Sequence, residues 1–231
     1  MSLLTIVQNA ATKIGVSRPD TVINNTSDEV GELLSFAKTE GKELMRRFDW
    51  QILRKEKTET TVATEEQTAL PSDFDRFVNE TFWNRTRKHP LYGPLTPQQW
   101  QRIKTWNSSP VTDSFTYRGN KILINPVPAA GETIAYEYIS KNFCQSYALV
   151  AQSTWAADTD IGILDEHLME LGLVVRFKMS KGLDAGADLA EYDTQVMIAI
   201  GSESPKRTLN MTSCGNEYSR GIVIQEGDWP L

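Results

Sequence analysis

An α+β architecture is read from three features of the chain: helical periodicity on either side of its middle, an alternating period between, and a polar, glycine-broken final segment. The expected fold is an antiparallel helical bundle built from residues 1–50 and 142–203. Residues 51–141 form an inserted antiparallel β domain, and residues 204–231 an extended C-terminal tail.

The firmest element is a helical hairpin over Ile163 to Glu203. Leu164, Leu168, Leu171 and Val175 recur at steps of four, three and four residues, which places them on one apolar face of a helix. Gly182 supplies the backbone freedom at which that helix stops, and Asp184 can accept hydrogen bonds from the N–H groups opening the next. In the second helix Leu183, Ala187, Ala190, Met197 and Ile198 continue a stripe that should pack on the first.

From the N-terminus, Leu4, Val7, Ala11 and Ile14 mark a short amphipathic helix ended by Gly15. Thr26 and Glu29 have capping-box spacing before a longer helix with Val30, Leu33, Leu34, Ala37, Leu44, Met45 and Phe48 inward. Gly31 and Gly41 within it cost roughly 1 kcal/mol each against alanine, and so predict close contacts. After Trp50 the period becomes alternating, through an exposed threonine-rich tract to the turn Leu70–Phe74. A strand with Phe77, Val78, Phe82 and Trp83 should follow, then a short helix opened by Thr96 and Pro97 that carries Trp100 and Ile103. The segments SFTYRG, KILINP and ETIAYEYIS predict three antiparallel strands, the first two joined at Gly119-Asn120.

With 231 residues, 40% hydrophobic and 23% charged, the chain can bury a full core. No apolar run approaches the roughly 18 residues of a membrane span. The N-terminal segment lacks the basic flank and cleavage site of a signal peptide, so cytoplasmic synthesis is expected. Cys144 and Cys214 are too few for a disulfide framework and are read as free thiols. A formal charge of −6 argues against a general nucleic-acid-gripping surface.

Catalytic patterns are missing from the sequence. It has no GxxxxGK, GxGxxG, HExxH or GxSxG motif, and His89 and His167 lack ligands at metal spacing. The run Asp158 to Gly162 departs from a calcium loop and reads better as a helix-entry turn. No enzyme activity, cofactor or metal is expected. The basic patch Arg85, Arg87, Lys88 and His89 is either a contact for nucleic acid or an acidic partner, or a solvated loop. Two alternative classes stand beside the main reading: a nucleic-acid-binding β module on a helical base, for which a charge of −6 has the wrong sign, and a hydrolase with a scattered site.

The order LPSDF, a tryptophan-containing strand, PLTPQQWQ, TYRGNKILINPVPAAGETIAYEYIS, DTDIGILDEHL, ELGLVVRFKMSKG and AEYD resembles the head-to-tail adaptor proteins of tailed bacteriophages. These are also called connectors, and include the tail tubular protein A-like chains. The likeness spans roughly residues 3–203 and rests on order and spacing. It implies a virion structural protein at the head–tail junction: a ring, usually of twelve copies, with the portal protein above and a tail or nozzle protein below. Genomic DNA would pass through its channel without specific binding.

A ring of identical copies needs a heterologous interface, which the amphipathic helices can supply. The β block would then face the next tail component through Trp83, Tyr92 and Trp106, though these residues serve equally well as local core. Asp165, Glu166, Glu170, Asp188 and Glu191 are candidates for an acidic channel lining that repels phosphates; the other reading is a solvated helix face. The tail is too polar to fold alone, and a partner chain is expected to hold it through Ile222, Val223, Ile224 and Trp229, with Gly221 to Gln225 added to a sheet edge.

Overall fold

A computed structural model of the chain describes residues 2–105 and 112–203. Trp106 and the four tail residues Ile222, Val223, Ile224 and Trp229 lie outside them. In chain order the elements are helices α1 (Leu3–Ile14) and α2 (Asp28–Arg47), a 3-10 turn (Gln51–Leu53), and strands β1 (Arg54–Thr60), β2 (Glu66–Ala69), β3 (Phe74–Phe77), β4 (Trp83–Asn84) and β5 (His89–Pro90). Helix α3 (Pro97–Thr105) precedes β6 (Ser114–Arg118), β7 (Lys121–Asn125), β8 (Thr133–Ser140), β9 (Cys144–Gln145), β10 (Ala151–Gln152) and β11 (Ile161–Gly162). Helices α4 (Glu166–Ser180) and α5 (Gly186–Glu203) close the described chain. The fold is α+β, with five α-helices and antiparallel sheets among the described residues.

The described residues form two compact units, one from residues up to Arg54 together with 140–203, the other from Lys55 to Ile139. In the first, α4 is the centre, packed against α1, α2 and α5. Leu168 to Val175 form an unbroken buried run, so α4 is enclosed on all sides instead of along one expected face. Helix α1 buries Leu3, Ile6, Val7, Ala10 and Ala11, a stripe displaced from the expected one. Its N-cap is Ser2, and Gly15 ends it at φ +81, where the absence of a Cβ removes the left-handed penalty.

Helix α2 corrects the expected capping box. Its N-cap is Ser27, which makes no side-chain cap bond; the Ser27 N–H instead donates to Asn25 Oδ1 at 2.9 Å. Of its glycines, Gly41 lies under the Phe143 ring, 2.3 Å from where a Cβ would stand, while Gly31 faces open space.

The α4–α5 turn closes with paired bonds, Leu183 N–H to Lys178 O at 2.9 Å and Gly182 N–H to Met179 O at 3.2 Å, with Gly182 at φ +67. Asp184 Oδ1 accepts from Gly186 N–H at 3.0 Å. The predicted packing face of α5 is reversed. Leu183, Ala187, Ala190, Met197 and Ile198 are exposed, and Tyr192 and Val196 turn inward. Tyr192 sets this rotation, because its hydroxyl reaches the buried Glu40 carboxylate.

Asp158 and Asp160 are clamps and not a helix entry. The Asp158 carboxylate accepts from Val22 and Ile23 N–H, and Asp160 Oδ2 from Ala156 and Ala157 N–H. Their own carbonyls accept from the first N–H groups of α1. The orphan donors of a helix start are thus satisfied from the far side of the sequence.

In the second unit, β6 and β7 form the expected hairpin, with Gly119 and Asn120 both at positive φ. Strand β8 does not join them, contrary to the three-strand expectation. The sheet is β2-β7-β6, and β8 lies between β1 and β4 in a five-stranded sheet that also takes in β3 and β5. Pro126 and Pro128 lack ladder donors, and the segment after them crosses to the second sheet. The expected single strand over Phe77 to Trp83 is likewise two short strands, β3 and β4.

Both sheets share a core of Leu70, Phe82, Leu91, Phe115, Ile122, Ile124, Ile134, Tyr136 and Tyr138. Phe82 is stacked between Phe115, at 3.8 Å, and Tyr136, at 4.6 Å, and Phe77 meets all three edge-on. Helix α3 opens with a reciprocal cap. Gln99 N–H donates to Thr96 Oγ1 at 3.3 Å and Thr96 N–H to Gln99 Oε1 at 3.0 Å.

Candidate assembly surfaces

Helices α2, α4 and α5 meet around one carboxylate. Glu40 is 1% exposed; it accepts from Arg176 Nε at 2.6 Å and from the Tyr192 hydroxyl, while Arg176 also donates to Glu43 at 2.6 Å. Gly172 makes room for it, since a Cβ there would stand 2.3 Å from Glu40 Cδ. Burial, and then the neighbouring Glu40 charge, pushes the Tyr192 hydroxyl well above its usual range. Burial opposes the Arg176 charge, but the bonds to Glu40 and Glu43 prevail and hold its pKa above the ordinary value. This network spans 136 residues of sequence between Glu40 and Arg176, and no local pattern marks it.

The five acidic candidates divide by environment. Glu170 is an interior side chain, accepting from Asn9 Nδ2 at 3.1 Å and paired with Lys13 at 2.8 Å. Asp188 is half-buried and paired with Lys178 at 2.5 Å. Asp165 is the N-cap of α4, its Oδ1 accepting from His167 N–H at 2.8 Å. Asp165 and Glu166 line a groove of about 390 Å³ with Trp50, Ile52, Ala199 and Glu203. Glu191 stands on the exposed side of α5.

In the β unit, Tyr92 is 55% exposed and Trp83 half-buried. Trp83 borders a hollow of about 430 Å³ whose rim carries Glu56, Glu80, Arg85 and Glu137. The basic run beside it carries intrachain ion pairs. Arg85 bonds Glu56, Arg87 bonds Glu132 at 2.6 Å, and His89 lies 3.4 Å from Asp113. Asn84 ties the loop with Nδ2 on Glu132 and with Oδ1 accepting from Thr86 and Arg87 N–H. Arg85 and Arg87 thus each meet a carboxylate of their own chain.

Burial pushes the Cys144 thiol up to about 12, with Asp160 adding to it, so the thiol is neutral and unreactive near neutrality. Among the described residues no group of three His, Cys, Asp or Glu side chains could hold a metal ion. No described helix is long and apolar enough to cross a membrane.

Across both units the chain matches the family model of the SU10 adaptor protein over residues 1–211. The chain belongs to the SU10 adaptor protein family. This is a family of phage head-to-tail adaptors, so its member here is a virion structural component. No curated protein matches the chain.

Two surfaces of this SU10 adaptor protein escaped the sequence reading. One is the tip of the β9–β10 hairpin, where Tyr147, Leu149 and Val150 are 78%, 71% and 61% exposed. The other is the outward side of α5, with Met197 and Ile198 71% and 59% exposed. The tip had a sequence signal: residues 142–157 contain no charged side chain. For α5 the stripe was visible but its direction was not.

Proposed function

We propose that this SU10 adaptor protein assembles as a ring, of twelve copies, that sits beneath the portal of the DNA-filled head and carries the tail or nozzle protein below. The observation that carries this reading is the family match, which runs through both units. A closed ring requires two different surfaces per copy, and large exposed apolar residues outside a packed core are where such contacts are made.

Genomic DNA passes through the channel without specific binding. Asp165, Glu166 and Glu191 supply its acidic lining, with a field that reaches about 8–10 Å at physiological salt. Glu170 and Asp188 brace the helices behind them. Trp83, Tyr92 and Trp106 face the tail component, and the tail residues Ile222, Val223, Ile224 and Trp229 are held by a partner chain. The protein is made in the host cytoplasm and ends in the virion.

Electron microscopy of the purified full chain, alone and mixed with its cognate portal oligomer, tests the reading. Twelve-fold rings docked on the portal are expected. A chain that stays monomeric in both conditions would refute it.

A further inference from the structure

We infer that neighbouring copies are joined by insertion of the β9–β10 tip of one copy against the Met197–Ile198 end of α5 on the next. This rests on the ring reading above and gives it an interface.

The tip is preformed. Ser146 N–H donates to Val150 O and Leu149 N–H to Ser146 O, both at 2.8 Å, and Val150 N–H reaches Ser146 Oγ at 3.2 Å. Little conformational entropy remains to be lost when it docks. Leu149 sits at φ +62, a region that a bulky side chain occupies only under strain, and where glycine or asparagine would be the undemanding choice. A strained, solvent-facing leucine contributes nothing visible to the fold of its own chain. Its side chain is accounted for if another surface receives it.

Charge selects the receiving surface. Helix α5 carries Asp188, Glu191, Asp193 and Glu203 with no lysine or arginine. Packing α5 on its own image across a two-fold would bury Glu191 with no cation from that helix to pair it. The tip lies within a charge-free segment, so it brings no like charge to Met197 and Ile198, and Asp193, one turn before Met197, already has Arg47 as its counter-ion at 3.4 Å. Glu191 lies six residues away, about 9 Å along the axis, and stays in water. The pairing is head-to-tail, each copy giving one tip and taking one, as closure into a ring requires.

The test uses the full chain with Cys214 replaced by Ser; Cys144 is buried and its thiol is neutral. Leu149→Cys and Met197→Cys are introduced together and the assembled particles are oxidised. A reductant-sensitive ladder of covalent multimers is expected from the double variant. An equimolar mixture of the two single variants should give dimers, and neither single variant alone should link. A second variant, Leu149→Gly, relieves the backbone strain while removing the knob. It should unfold no more easily than the parent yet assemble at least about tenfold more weakly.

Rings that form without the cross-link, a Leu149→Cys thiol linked to portal instead, or Leu149→Gly rings of unchanged affinity would overturn this contact and leave the ring reading standing. Absence of rings for the unmodified chain, with and without portal, would overturn both.

Discussion

Glu40 shows how much one residue can decide. It is a carboxylate at a three-helix junction, and its two partners come from helices more than a hundred residues away. Glu40→Ala strands the Tyr192 hydroxyl and removes one of the two carboxylates on Arg176. Leaving a buried donor without a partner costs about 1–3 kcal/mol, and a loss in that range should appear in urea denaturation. Tyr192 also makes stability depend on alkaline pH. Its folded pKa is raised above the ordinary value of 10.0, so the unfolded chain gives up the proton first. The contribution is therefore intact below pH 10 and declines above it, by up to about 1.4 kcal/mol per pH unit for this one group. Cys144, raised from 9.0 to about 12, adds the same sign of dependence from pH 9. Stability measured between pH 8 and pH 11 should fall less steeply in Tyr192→Phe than in the parent; equal slopes would remove Tyr192 from the account.

At the scale of elements, two helical glycines with identical propensity should respond oppositely to alanine. Gly31, on the exposed side of α2 with nothing near its missing Cβ, should gain up to about 1 kcal/mol from Gly31→Ala. In Gly172→Ala the new methyl would run into the Glu40 carboxylate, which is held by Arg176 and Tyr192 and cannot swing aside, so a loss of about 1–3 kcal/mol is expected. Thermal unfolding of the two variants would reveal the opposed signs. The same contrast explains what could be read beforehand. The caps at Thr96 and Gly15 and the turn at Gly119-Asn120 are written within a few residues, and each was legible. The α5 stripe was legible as a pattern, but periodicity records that one side is apolar and not what covers it. The Glu40 network, and the carboxylates that neutralise Arg85 and Arg87, depend on partners far off in sequence and left no local trace.

At the scale of the whole molecule, the family match runs through both units, yet each unit has its own core. The first is closed by pairs such as α1 with α4 and α2 with α4, so its two sequence halves depend on each other. The second runs uninterrupted from Lys55 to Ile139, and its first and last strands, β1 and β8, are neighbours in one sheet. That adjacency is what a sequence reading of β8 as the third strand of a meander could not reach, because the choice of partner strand is a long-range event. It also predicts that the β unit is separable. Residues 55–139 expressed alone should fold around the Phe115–Phe82–Tyr136 stack, which holds three rings in a fixed chiral arrangement. A strong near-ultraviolet circular dichroism signal and cooperative loss of it in urea are the expected observations. A fragment with strand-rich far-ultraviolet signal but a featureless near-ultraviolet spectrum would mean that the aromatic core needs the helical unit to set it.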